Sequence, residues 1–102
     1  MANRQVTSAA NLAALKRKLL NLEPFHPGSL SRQKRTRGGT YHQLSYSYAG
    51  GSHTTYVRPE DVPAVTRELA NYRKFRELIR QWLECEIGMA KALISVMLRL
   101  FK

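Results

Sequence analysis

The chain has 102 residues, 43% of them hydrophobic, and a formal net charge of +10 from 17 Lys and Arg against seven Asp and Glu. That length holds one domain with a modest core, small enough that pairing with another chain is an expected route to stability. The lone Cys85 excludes an internal disulfide and fits a reducing compartment. No long apolar core follows the basic start, and the apolar run between Lys91 and Arg99 is far too short to span a bilayer. The expectation is therefore a cytoplasmic protein with no signal peptide and no membrane partner.

The charge is uneven. Residues 1–58 hold nine Lys and Arg against Glu23 alone, whereas residues 59–102 hold eight against six acids. A cationic first half and a nearly neutral second half read as a polyanion-binding part and a packing part.

Residues 1–8 are expected as a flexible tail, with Ser8 as N-cap of a helix over 9–23. Leu12, Leu15, Leu19 and Leu22 fall at spacings of three and four, one apolar stripe of a helix. Pro24 and His26-Pro27-Gly28 end it. Lys16, Arg17 and Lys18 lie largely off the stripe and form a basic flank.

Over 28–58 the period changes to two, which predicts a β-meander. Leu30, Arg32 and Lys34 alternate with Ser31, Gln33 and Arg35. The pair Gly38-Gly39 is a hairpin signal, because glycine takes positive φ without a Cβ penalty. Thr40 to Tyr48 is rich in β-branched and aromatic residues, Ala49-Gly50-Gly51-Ser52 is a second tight turn, and His53 to Arg58 completes a third strand.

Arg58-Pro59-Glu60-Asp61 then opens a long helix over 60–101, with proline and acids where restricted φ and the helix dipole favour them. Val62, Val65, Leu69, Tyr72, Phe75, Ile79 and Trp82/Leu83 follow helical spacing, and the pattern resumes at Ala90, Leu93/Ile94 and Met97/Leu98. Gly88 costs about 1 kcal/mol relative to Ala and is the place for a kink. The stripe is longer than a three-stranded sheet can cover. Its excess, with the apolar tail Leu93–Phe101, is expected to pack on the first helix, on a second copy, or on both, giving a homo-oligomer. The fold class is α+β: an N-terminal helix, a three-stranded antiparallel meander and a long C-terminal helix.

The basic arm of residues 31–37, Ser-Arg-Gln-Lys-Arg-Thr-Arg, carries the strongest chemical signal. On an extended strand Arg32 and Lys34 point to one side while Arg35 and Arg37 point to the other. Charged edge strands also serve to block aggregation. That role accounts for one or two cations, not for four in six residues without an acid nearby, so phosphate contact is the better reading. Leu44, Tyr46 and Tyr48 share a face, and at least one of those tyrosines is expected to pack under the long helix. Tyr41, Gln43, Ser45 and Ser47 form the opposite, polar face. It fits a nucleic-acid groove and equally an ordinary solvated surface. Stacking of single-stranded bases on Tyr41 is the weaker option, because an aromatic pair would be expected there.

His26, His42 and His53, with no acid among residues 24–59 and no cysteine nearby, make a poor metal site. Cys85 lies between Glu84 and Glu86, which disfavours its thiolate. Neither a catalytic triad nor a phosphate-cradling loop is present in the pattern, so no catalytic residue, metal or cofactor is expected.

The stretch from Pro27 through Gln81 resembles a small uncharacterised prokaryotic family that is often encoded beside transposase genes. The resemblance rests on Gly28-Ser29 at the hairpin start, the Tyr41–Tyr48 strand, the Gly50-Gly51 turn, Tyr56-Val57, and Asn71, Tyr72 and Phe75 of an Asn-Tyr-x-x-Phe pattern. It covers about residues 27–83. Many relatives carry several cysteines in the first hairpin; this chain has none there, so any zinc the resemblance implies does not carry over. A meander followed by a helix is also similar to the arm-type DNA-binding domains of tyrosine recombinases and to AP2 domains, which lay the sheet into the major groove.

The functional expectation is a non-enzymatic nucleic-acid-binding protein of duplex DNA, tied to a mobile element and nucleoid-associated. Arg32, Lys34, Arg35, Arg37 and Arg58 are the expected phosphate contacts. Tyr41, His42 and Gln43 are placed near the groove, and Lys16, Arg17 and Lys18 extend the footprint. The alternatives are an RNA-binding or ribonucleoprotein component, and an interaction module whose long helix docks on a recombinase or other partner.

Overall fold

A computed structural model describes residues 9–100, in the order α1 (Ala9–Leu20), β1 (Ser29–Lys34), β2 (Thr40–Tyr48), β3 (Gly51–Val57), a 3₁₀ turn (Pro59–Asp61) and α2 (Val62–Leu100). The chain is α+β as expected. The tail over 1–8, the Ser8 cap and Phe101 lie outside the described residues. Two compact units are formed: one is Glu23–Lys74, the sheet with the first turns of α2; the other holds α1 and α2 from Phe75 onward.

In the sheet unit the strands run antiparallel in the order β1-β2-β3, with β2 central. The register pairs Leu30 with Leu44 and Lys34 with Thr40 on one side, and His42 with Val57 and Tyr48 with Gly51 on the other. The first connection is longer than a two-residue glycine turn. It runs from Arg35 to Gly39 and is closed by the Arg35 amide donating to Gly39 O at 2.8 Å, with both glycines at φ 84°. The second is a two-residue loop of Ala49 (φ 53°) and Gly50 (φ 80°), left-handed at both positions, the geometry that matches strand twist.

Leu44, Val57 and Leu69 are buried together, with Leu30, Tyr46, Val62 and Val65 packed against them. Full burial of one such aliphatic side chain contributes about 1.5–3 kcal/mol, so this is a small core. The segment entering β1 is tied to α2: the His26 amide donates to Glu68 O at 3.1 Å, Asn71 Nδ2 donates to Pro24 O at 3.0 Å, and Phe25 lies 5.9 Å from Tyr72. Tyr46 is held between His26 (4.6 Å, edge-on) and His53 (4.9 Å, stacked), whereas Tyr48 is exposed. Tyr46 is thus the packing tyrosine of that face.

The helical unit buries little. Leu15 and Cys85 are its buried apolar residues among those described, and they line one open cleft with Ala14, Lys18, Gln81 and Glu84. The first helix stops at Leu20, short of the expected 23. Its last amides turn back to Arg17, Lys18 and Leu19, because Pro24 disfavours helical backbone at the residue before it. Along α2, which passes unbroken through Gly88, Arg80 bridges Glu77 and Glu84. Hydrogen bonds from Arg80, then from Gln81 (2.9 Å), hold the Glu77 carboxyl at about 2, below its ordinary 4.5. Among the described residues no helix is long and apolar enough to cross a membrane.

Candidate nucleic-acid interface

Residues paired across antiparallel strands share a face, so the register sorts the candidates. Leu30, Arg32 and Lys34 of β1 lie on the core side with His42, Leu44 and Val57. Ser31 and Gln33 lie on the outer side, opposite Gln43 and Tyr41; Tyr56, Thr54 and Ser52 of β3 complete that face against Gln43, Ser45 and Ser47. Nothing in the sheet from Ser29 to Val57 is acidic.

The four cations of the first hairpin divide as the strand period dictates. Arg32 and Lys34 project from the edge strand on the core side, Arg32 in the row of His42 and Val57, and Arg32 Nε donates to Thr40 Oγ1 at 3.4 Å. Arg35 follows the last ladder pair and folds over the outer face, its guanidinium carbon 4.8 Å from the Tyr41 ring centre and 5.9 Å from that of Tyr56. Arg37 is exposed in the connection. None of the four pairs with a carboxylate among the described residues.

The remaining candidates are placed elsewhere. Arg58 is engaged by Asp61 at 2.9 Å and Glu60 at 3.7 Å, so its charge is compensated locally. Exposed pairs of this kind are worth about 0–1 kcal/mol, weak enough for a phosphate to compete with. His42 does not join Tyr41 and Gln43. It points to the core side, with a buried Nδ1 that has no hydrogen-bond partner. Lys16, Arg17 and Lys18 are exposed on α1 in the helical unit, and the Lys16 ammonium sits 5.1 Å over the Trp82 ring.

The residue that sequence reasoning passes over is Tyr56. It is 52% exposed, and its ring centre lies 6.2 Å from that of Tyr41 with the planes tilted by 39°. The register explains the meeting: Gln43 faces Tyr56 directly, and Tyr41 is the diagonal neighbour two residues on, within reach for aromatic side chains. The outer face therefore carries an aromatic pair capped by a guanidinium and surrounded by amides and hydroxyls. Among the described residues no cluster of His, Cys, Asp or Glu is arranged to hold a metal ion. No known protein family matches the chain, and neither does any curated protein or solved structure.

Proposed function

We propose that this chain is a non-enzymatic nucleic-acid-binding protein that holds the phosphate backbone with Arg32, Lys34, Arg35 and Arg37. The observation that supports this reading is the set of four cations on one hairpin, without a carboxylate partner among the described residues, beside a sheet free of acids. Ion pairing inside the protein would have compensated those charges; left open, they favour a polyanion. Duplex DNA at a mobile element and a structured RNA both present that backbone, and both belong to the proposal. The test is a mobility shift with duplex DNA over a salt series. Alanine at all four positions is expected to abolish the shift with helicity unchanged, and alanine at any one of them to leave measurable binding whose salt slope is flatter by about 0.9 for the phosphate no longer neutralised. Full binding by that variant would refute the hairpin assignment.

A second, compatible reading is self-association through α2, as in an interaction module. Leu83, Ile87, Ile94 and Met97 are exposed, and with Ala90 they repeat at alternating spacings of four and three, the seam of paired helices. Lys91, Ser95 and Arg99 fall on a separate polar stripe. A helix partner with the same repeat, a second copy of this chain, fits that seam.

A further inference from the structure

The outer face of the sheet combines two features that a backbone-only contact does not call for. Tyr41 and Tyr56 present their rings side by side at the first-hairpin end of a surface otherwise made of amides and hydroxyls, and a guanidinium already lies over them. A duplex offers such rings nothing, because each base face within it is covered by its neighbours in the stack. An unpaired base has a free π face, and stacking on aromatic side chains is the general means by which proteins hold single strands.

We infer that Tyr41 and Tyr56 form a stacking site for unpaired nucleobases, so that the protein takes single-stranded nucleic acid in preference to duplex. This rests on the proposed nucleic-acid binding and names the form of the strand. Arg35 occupies the face of Tyr41 as a planar cation at cation–π distance. A base entering there replaces the guanidinium on the ring and frees it for the neighbouring phosphate of the same strand. Gln43, directly opposite Tyr56, and Gln33, directly opposite Tyr41, place amide donors and acceptors at the edge of the stacked base. Gln33 Nε2 donates to Ser31 Oγ at 3.0 Å, a hydrogen bond that a base edge can replace. Arg37, exposed in the same connection as Arg35, supplies a further phosphate contact. The surface thus meets both properties of a single strand, its charge and its open base faces. A purely apolar partner would leave the cations unused, and a purely electrostatic one would leave the ring pair unused.

The chemistry is common to single-stranded DNA and RNA, and the experiment separates them. Fluorescence anisotropy is measured with labelled oligothymidylate, oligouridylate and a duplex of equal length at one salt concentration, for the wild type, Tyr41→Leu/Tyr56→Leu and Tyr41→Phe/Tyr56→Phe. Leucine removes the ring at exposed strand positions, while phenylalanine keeps the ring and removes the hydroxyl. The wild type is expected to bind at least one single strand more tightly than the duplex. The leucine variant is expected to lose roughly 10- to 100-fold on that strand, with duplex binding nearly unchanged, and the phenylalanine variant to stay close to wild type. A loss confined to one sugar assigns the natural target to that strand. Equal wild-type affinity for single strand and duplex, or a leucine variant that keeps the single-strand advantage, overturns the stacking site and leaves the phosphate-binding reading standing. A wild type that binds none of the three overturns both.

Discussion

Gly28 is held at φ 117° where the chain enters β1, and a Cβ built on it would lie 2.4 Å from Ser45 O and 2.8 Å from Tyr46 Cβ. Both obstacles are fixed parts of β2, so the backbone itself would have to move. Gly28→Ala is therefore expected to destabilise the protein by about 2–4 kcal/mol, read as a shift in the denaturant midpoint; an unchanged midpoint would show that the strand entry relaxes freely. In the sequence this glycine is legible as a helix stop and as the start of the hairpin, but not as a close approach, which depends on which residue of β2 lies beneath it. Tyr56 is hidden for a related reason. Parity alone assigns Tyr41 and Tyr56 to a face, but their distance depends on which two residues of Ala49-Gly50-Gly51-Ser52 form the loop. Glycine's tolerance of positive φ favours Gly50-Gly51, which would set Tyr56 opposite Ser45. The chain instead uses Ala49-Gly50, at a cost of about 1–2 kcal/mol for a left-handed alanine, and the tyrosines meet.

At the scale of elements, the three strands and two helices are legible because their hydrophobic periods are unambiguous, and their bounds differ from expectation by only a few residues. The length of the first turn is not legible in the same way. Glycine signals the left-handed positions but not how many residues precede them, and here Arg35, Thr36 and Arg37 precede the pair. On α2 the Glu77–Arg80–Glu84 series sets a pH dependence whose sign follows from the lowered Glu77 carboxyl. A carboxyl whose folded value lies below its unfolded one stabilises the fold when ionised. That contribution is complete above the ordinary 4.5 and is lost as pH falls through about 2. The stability difference between wild type and Glu77→Gln is therefore expected to be flat above pH 4.5, to shrink as the pH is lowered towards 2, and to weaken in high salt, since the side chain is exposed to solvent. A difference that grows on acidification would contradict the assignment.

For the whole molecule, the division into a sheet unit and a helical unit follows the charge asymmetry of the sequence only in part. The hairpin cations belong to the sheet unit, but Lys16, Arg17 and Lys18 belong to the helical one, because α1 keeps company with α2 beyond Phe75. Sequence periodicity places that basic flank on α1, and the expected packing of the long helix's surplus stripe on α1 carries it into the helical unit. Burial in the helical unit is too thin to account for its apolar content: Leu83, Leu93, Leu98 and Leu100 are all more than half exposed. Sedimentation is expected to show a dimer, and Ile87→Lys/Ile94→Lys to return it to monomer with helicity kept. A wild-type monomer at high micromolar concentration would refute the pairing.

The continuity of α2 bears on what holds its exposed C-terminal half helical. Starting a helix costs far more than extending one, since the first turn fixes several residues for a single hydrogen bond. The first turns of α2 are set by Val62, Val65 and Leu69 in the sheet core, and the same 39-residue helix then runs on to Leu100. The exposed C-terminal half thus continues a helix whose first turns the sheet core already fixes, and its extension needs no second nucleation.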